Sequence, residues 1–352
     1  MSKLVLHPYF QGPRLNLQQA LEKEGTGKLI FVIGATAVGK TTMRRLVMRN
    51  VVGNPELWGQ GLIPAIEVMA QRAKGAHFDS KHLVNLIFEE LYAPRLTWLS
   101  APGEGEKALK RFDSELERSR NFWRNGYVRD EVEATRWRRV GNMIEARGTW
   151  IVCIDEATAL SKNHGDTDAA DHIENLKAFA EQYRTNVLFC GGESASALWA
   201  CRPKIRHRAK IIIMPTYSDK RRQDCESFLR ILQNMEQRYL VSKQGLLTEL
   251  APELLAACAG SIGVLKKILD DATDSCALTG DGAIDKSDIR GAYYSEDALK
   301  ELWKEVREFD GMAKEAFIEE RSREIAARWN IRGLESQGDG NSASKRIKGS
   351  DS

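Results

Sequence analysis

Short apolar runs alternate with amphipathic stretches from Leu29 to Met214, and beyond Tyr217 only the amphipathic texture remains. The run Leu29-Ile30-Phe31-Val32-Ile33 stops at Gly34, and a helical pattern follows with Met43, Leu46 and Val47 on one face and Arg44, Arg45 and Arg49 elsewhere. Leu62 to Val68 reads as a second strand, and Pro64 within it marks an edge or a strand start, because proline cannot donate to a ladder. A helix is predicted from Ser80 to Leu91, capped by Asp79 or Ser80, with Leu83, Leu86, Ile87 and Leu91 as its apolar stripe. Trp150 to Ile154, Asn186 to Gly192 and Lys210 to Pro215 are continuous apolar runs, the pattern of strands buried on both faces. A helix at about 169–183 separates the first two of these. Strands alternating with helices predict a parallel α/β sheet sandwiched by helices.

The flanks read differently. Residues up to about Pro13 look extended, and Asn16 is placed to cap a short helix, Leu17 to Lys23, that ends at Gly25-Thr26-Gly27. Residues 92–147 carry mixed charge and scattered tryptophans, and read as helices joined by loops inserted into the sheet. After Tyr217, helices are predicted to about Tyr239 (capped by Ser218 or Asp219), over 246–257, over 262–272, and from Asp285 or Ser287. Residues 296–329 form a charged helical stretch. Ser336 to Ser352 has the composition of a disordered tail. The expected division is an extension (1–28), an α/β core (29–216), a small all-α subdomain (217–300), a charged C-terminal helix (301–335) and a tail (336–352).

Composition narrows this little. The 352 residues are 42% hydrophobic and 29% charged with a net charge of +3, so any nucleic-acid site must be a local basic patch. Cys153, Cys190, Cys201, Cys225, Cys258 and Cys276 form no C-x-x-C pair and read as reduced thiols. No apolar run reaches the length of a membrane span, and the opening apolar residues break at Pro8, too soon for a signal peptide; a cytoplasmic location is expected.

Three segments carry candidate chemistry. Gly34-Ala35-Thr36-Ala37-Val38-Gly39-Lys40-Thr41-Thr42 has the G-x-x-x-x-G-K-[ST] spacing of a phosphate-binding loop, with the strand before it and the helix after it that the motif requires. Gly34 and Gly39 let the backbone approach a ligand, the loop's N–H groups and the helix's positive end point at phosphate oxygens, Lys40 neutralises β- and γ-phosphates, and Thr41 holds Mg²⁺. The second segment is Asp155-Glu156 at the end of an apolar strand. Its carboxylates either cap the next helix or form a Walker B pair, with Asp155 binding Mg²⁺ and Glu156 polarising the attacking water, and the second option favours hydrolysis over phosphoryl transfer to a small molecule. The third is Cys201 to Lys210, with five basic residues besides His207 and no acid. It reads as an arginine finger acting on a neighbouring subunit, as a contact to the DNA phosphate backbone, or as a solvated loop. Two further patterns are weaker. His164 to His172 is read as an acidic helix start rather than a metal site, and Asp281-Gly282-Ala283-Ile284-Asp285 as a turn.

Taken in order, the P-loop, the Asp-Glu pair, a later strand, an arginine-bearing loop and a helical lid resemble an AAA+ ATPase. Ile205 to Tyr217 resembles the "L-x-R-R-x-x-I-x-F-P-x-Y" element of the transposition regulators TnsC and TniB, relatives of MuB, and Gly260-Ser261-Ile262-Gly263-Val264-Leu265-Lys266 resembles their "G-x-x-G-x-L-K" lid helix. The resemblance spans about residues 25–300. It implies ATP and Mg²⁺ as ligands, assembly as a hexameric ring or helical filament on double-stranded DNA, and recruitment of a transposase and of a target-selector protein of the TnsB and TniQ kind. It places Arg208 on the finger position with Arg206 beside it, and Lys266 as the nearest lid cation to the nucleotide. The chain departs from the pattern at Gly192, where a polar sensor residue is usual and Glu193 or Ser194 stands next in line, and at Gly263, where many such proteins carry a sensor arginine. Both departures suit a slow switch better than a motor. The competing expectation is a signalling or chaperone-like AAA+ or STAND ATPase acting on protein partners.

Overall fold

The structure, a computed structural model, describes residues 6–22, 26–59, 61–70, 79–99, 132–161, 169–192, 203–279 and 282–311, together with 195, 198, 321, 322 and 325. The chain forms two compact units, Met1–Arg307 and Glu308–Ser352. The first holds a sheet of five parallel strands in the order β2-β3-β4-β1-β5. The strands are β1 (Leu29–Gly34), β2 (Ala65–Met69), β3 (Ile151–Asp155), β4 (Asn186–Gly191) and β5 (Lys210–Met214). Every residue of β1 and β4 is buried, as the unbroken apolar runs require when both faces of a parallel sheet are covered. Phe31 and Phe189 stack across this pair, ring centroids 4.7 Å apart. The edge strands are less apolar. β2 admits Glu67 and β5 begins with exposed Lys210. Pro64 sits just before β2, and its carbonyl accepts from Trp150 and Ile151, so the missing donor lies outside the ladder.

Register sets the geography of the site. Gly34 pairs with Met214 at the C-terminal end of β1 and β5, and Met69 pairs with Asp155 at the C-terminal end of β2 and β3. The P-loop and the acidic pair therefore leave the same edge of the sheet, with β4 between their strands.

The N-terminal region departs from the sequence reading. Helix α1 (Pro8–Leu21) begins well before the predicted start at Leu17 and runs through Pro13. Pro8 stands at the first helical position, where no N–H is needed, and Pro13 forfeits one bond in the second turn. Buried Phe10, Pro13, Leu17, Ala20 and Leu21 more than offset that loss by packing the helix against α2 (Lys40–Val52) and β5. The extension is thus part of the core unit. Other helices match more closely. Asp79 caps α3 (Ser80–Tyr92) through the N–H groups of Lys81 and His82. α4 (Glu133–Arg147) lies against α3, with Arg136 over the Phe88 ring. α5 (Ala169–Gln182) precedes β4, and a short α6 (Pro203–Arg208) leads into β5.

Beyond Tyr217 the described residues form helices α7 (Arg222–Glu236), α8 (Leu246–Glu249), α9 (Ala251–Cys258), α10 (Ile262–Thr279), α11 (Lys286–Gly291) and α12 (Glu296–Gly311). A lone bridge between Val241 and Ile284 is the one strand-like pairing described there. Neither Ser218 nor Asp219 caps α7. Its first turn follows Arg221, and the carboxylate of Asp224 accepts the Ser218 N–H instead. α10 continues past the predicted end at 272, while Asp285 caps α11 as expected, in a reciprocal box with Asp288. No described helix is long and apolar enough to cross a membrane.

Candidate nucleotide site

The loop after β1 is shaped by close backbone approach. A Cβ on Gly34 would lie 2.8 Å from the Met214 carbonyl oxygen and from Val38 Cγ2, so only glycine fits. Gly39 has φ +96° as it caps α2, and Ala37 holds φ +59°, an uncommon conformation for a residue with a side chain. The Lys40 ammonium donates to the carbonyls of Gly34 and Ala35 at 2.7 and 2.8 Å. Burial lowers the Lys40 pKa, and nearby carboxylates, Glu305 foremost and then Glu156 and Asp155, work against that fall. Lys40, Asp155 and Glu156 thus share one electrostatic neighbourhood, as their places at one sheet edge require. Thr41 and Thr42 are exposed at the start of α2.

Asp155 is held by a group that the sequence reading assigned only to a helix face. Arg44, one turn after Lys40, is fully buried and donates to Asp155 Oδ2 at 2.9 Å and to Glu67 Oε1 at 2.7 Å. Its other terminal nitrogen lies 3.1 Å from Cys153 Sγ. Burial opposes its charge, and the surrounding thiols and carboxylates outweigh burial and raise its pKa. Arg45 completes the cluster by gripping Glu67 with two nitrogens, at 3.0 and 3.2 Å. The second oxygen of Asp155 accepts the Glu156 N–H at 3.1 Å. Glu156 has φ +53° and an exposed side chain. A non-glycine residue in that region stores backbone strain, and such strain collects at functional positions.

The helical region closes over the loop from the other side. Ser261 Oγ donates to the Thr36 carbonyl at 3.2 Å, and the Gly263 N–H donates to the Ala37 carbonyl at 3.0 Å. A Cβ on Gly263 would sit 2.0 Å from that carbonyl oxygen, which explains why no arginine stands there. Lys266 pairs with Asp270 at 2.5 Å, whose second oxygen takes the Tyr239 hydroxyl at 2.6 Å. The contact described for Lys266 is thus to Asp270, and the acid that meets the loop is Glu305: the Thr36 N–H donates to Glu305 Oε1 at 3.0 Å. The only trace of this in the sequence is that Glu305 belongs to an amphipathic helix, a pattern that does not say which acid meets which loop.

No protein-family profile and no curated protein matches this chain in sequence. Among solved structures it is similar to the Walker-type ATPase PABY2304 of Pyrococcus abyssi, at 16% identity over 90% of this chain and 75% of that one, TM-score 0.49. It is also similar to the ORC2 protein of Aeropyrum pernix in its ADP form, at 15% identity over 80% and 66% of the two chains, TM-score 0.48. Domain III of the replication initiation protein DnaA of Thermotoga maritima shares 11% identity over 82% of this chain and 92% of its own, TM-score 0.45. Likeness at such identities says nothing of this chain's ligands or partners.

Arg208 lies far from this site within its own chain. Lys210 pairs with Ile30, at the start of β1 and thus at the opposite edge of the sheet from the P-loop. Four residue steps along β1 separate that edge from Gly34, about 13 Å at the rise of a parallel strand. The Arg208 side chain is 65% exposed and meets Glu181 at 3.6 Å, a surface pair of little energetic worth. Arg206 lies on α6, and its side chain is outside the described residues, as are those of Glu193 and Ser194. The segment 162–168 is outside them too. Among the described residues no group of acids, histidines and cysteines is arranged for a metal ion. A cavity of about 700 Å³ lined by Leu83, Trp137, Phe179 and Tyr183 contains no residue of the P-loop or the acidic pair.

The donor set of the loop fits a nucleoside triphosphate. The cradle excludes a side chain at Gly34, the half-buried Lys40 ammonium stands beside it, and a helix N-terminus follows. Asp155 and Thr41 carry side-chain oxygens of the kind that Mg²⁺ prefers.

Proposed function

We propose that this protein binds ATP with Mg²⁺, hydrolyses it slowly, and uses the nucleotide to assemble on double-stranded DNA as a regulator of transposition. One observation carries the nucleotide part. The P-loop after β1 and the Asp155-Glu156 pair after β3 leave the same edge of a parallel sheet, where open α/β sheets bind ligands. In this reading Gly34 to Thr42 hold the phosphates, Thr41 and Asp155 hold Mg²⁺, and Glu156 takes up a water proton. The bound Mg²⁺ would supply charge neutralisation on the phosphates. Gly192, whose Cβ position lies 3.7 Å from Glu305 Oε1 and Thr158 Cγ2, and Gly263, closed against Ala37, leave the site without two polar groups usual in the proteins the sequence resembles, which supports a slow rate.

Placement of Arg208 at the opposite sheet edge supports a role in trans. It is too far to serve its own P-loop, yet free to complete a neighbour's in a ring or filament. DNA binding, the transposase and the target-selector protein rest on the sequence resemblance and the basic segment.

The test has two parts. ATP with duplex DNA should yield a sedimenting assembly whose DNA affinity falls steeply with salt and ignores sequence, since each neutralised phosphate contributes a log–log slope of about −0.9. Within it, Arg208→Ala and Lys40→Ala should each abolish hydrolysis and partly restore it when mixed, because some interfaces then pair an intact finger with an intact loop. A mixture of two variants that both enter the assembly and still fail would remove Arg208 from the finger role. Assembly without DNA would favour a protein-directed ATPase.

A further inference from the structure

Glu305 is placed where a phosphate oxygen belongs. Its carboxylate takes the N–H of Thr36, inside the P-loop, at 3.0 Å. It is the strongest of the charges that favour the Lys40 ammonium, and its Oε1 lies 3.7 Å from where a Cβ at Gly192 would stand. The helix that carries it is seated rather than adrift. Leu302 and Val306, one turn apart, are buried, and the Trp303 indole donates to the Ala256 carbonyl at 3.0 Å. Glu296, Asp297 and Glu301 on the same helix are exposed, whereas Glu305 is half-buried against the loop. A carboxylate and a phosphate compete for one N–H donor, and two anions beside one ammonium repel each other.

We propose that Glu305 is an internal competitor of the nucleotide phosphates: α12 closes the P-loop with its own carboxylate, and ATP binds by displacing it. The proposal rests on the nucleotide reading of the site. It couples that site to the C-terminal helix, so that nucleotide occupancy decides whether the Leu302 and Val306 face stays packed.

The experiment uses the full chain and a fluorescent ATP analogue. Glu305→Gln keeps the shape and removes the charge, and Glu305→Ala removes both. Each should bind ATP and ADP about ten- to a hundredfold more tightly than the parent, the equivalent of one charge-assisted hydrogen bond lost from the competing state. Lys40→Ala is the control without binding. In the parent, ATP should speed amide hydrogen exchange over residues 296–307, and adenosine, which brings no phosphate, should not. Unchanged affinity in both variants, with exchange over 296–307 indifferent to ATP, would overturn the competition while leaving the nucleotide site standing. Weaker ATP binding by Glu305→Gln at unchanged melting temperature would also overturn it, since Glu305 would then belong to the liganded site. If neither parent nor variants bind ATP, the nucleotide reading itself fails and the competition falls with it.

Discussion

Arg44 offers a sharp test of how the acidic pair is held. Its guanidinium is fully buried, and its carboxylate partners Glu67 and Asp155 have side chains only 9% and 14% exposed. Arg44→Met keeps the length and removes the charge, leaving Asp155 with no cation in hydrogen-bond contact. Breaking a buried ion pair from one side costs about 3–5 kcal/mol. The lower end applies here, because Glu67 keeps its two contacts to Arg45 and Asp155 keeps the Glu156 N–H. A loss of about 3 kcal/mol, at about 2–4 °C per kcal/mol for a domain approaching this size, lowers the melting temperature by roughly 6–12 °C. Arg44→Lys should recover part of this, since an ammonium reaches one carboxylate but cannot fork to two. Thermal melts and urea titrations of parent and variants measure it. On the proposed role of Asp155, losing a cation 2.9 Å away should also lower the Mg²⁺ concentration needed for half-maximal ATP retention. If Arg44→Met melts within a degree of the parent, the buried cluster is not what supports the acidic pair, and the reasoning is wrong.

Three other outcomes are expected. Glu156→Gln should bind ATP as the parent does and hydrolyse it about 10²- to 10⁴-fold more slowly, the usual worth of a positioned general base, and a parental rate would exclude it from that role. Gly263→Ala puts a methyl group 2.0 Å from the Ala37 oxygen, so α10 or the loop must shift; about 1–3 kcal/mol of stability and much of the ATP affinity should be lost, while Gly12→Ala, with nothing within 4 Å, should be neutral or slightly stabilising. Burial lowers the His7 pKa from 6.5 to about 4, so the folded protein favours neutral His7 against Tyr217. Stability from this group is complete above pH 6.5 and is lost as pH falls towards 4, by roughly 3 kcal/mol in all. His7→Phe should flatten that part of the pH–stability curve, and an unchanged slope would mean another group is responsible.

The sheet was readable because its strands are buried on both faces. Continuous apolar runs such as Trp150 to Ile154 have no other comfortable environment, and glycine at 34 and 39 with Lys40 is a local signature complete within the loop. Asp79 and Asp285 were readable as caps for the same reason, since a cap acts within three residues. The N-terminal helix was not readable. Pro13 argues against it locally, and only packing of Phe10 and Leu17 onto distant elements overrides that preference. The long-range part of the candidate site was also hidden. Arg44 looks like any arginine on an amphipathic helix until β2 and β3 bring Glu67 and Asp155 beside it. Gly263 looked like a missing arginine, and the backbone of Ala37 turns out to fill that space.

What the sequence determined by itself is therefore what nearest neighbours along the chain can decide: strand against helix, the P-loop, the place of the acidic pair at a strand end, and a basic segment before the last strand. The tertiary structure decided which groups meet across the fold. It set Arg44 on Asp155, Lys266 on Asp270, Arg208 at the far sheet edge, and Glu305 on Thr36 at a sequence separation of 269. Charge acts over a few ångströms of space, whereas pattern acts over a few residues of chain, and only the folded backbone converts one distance into the other.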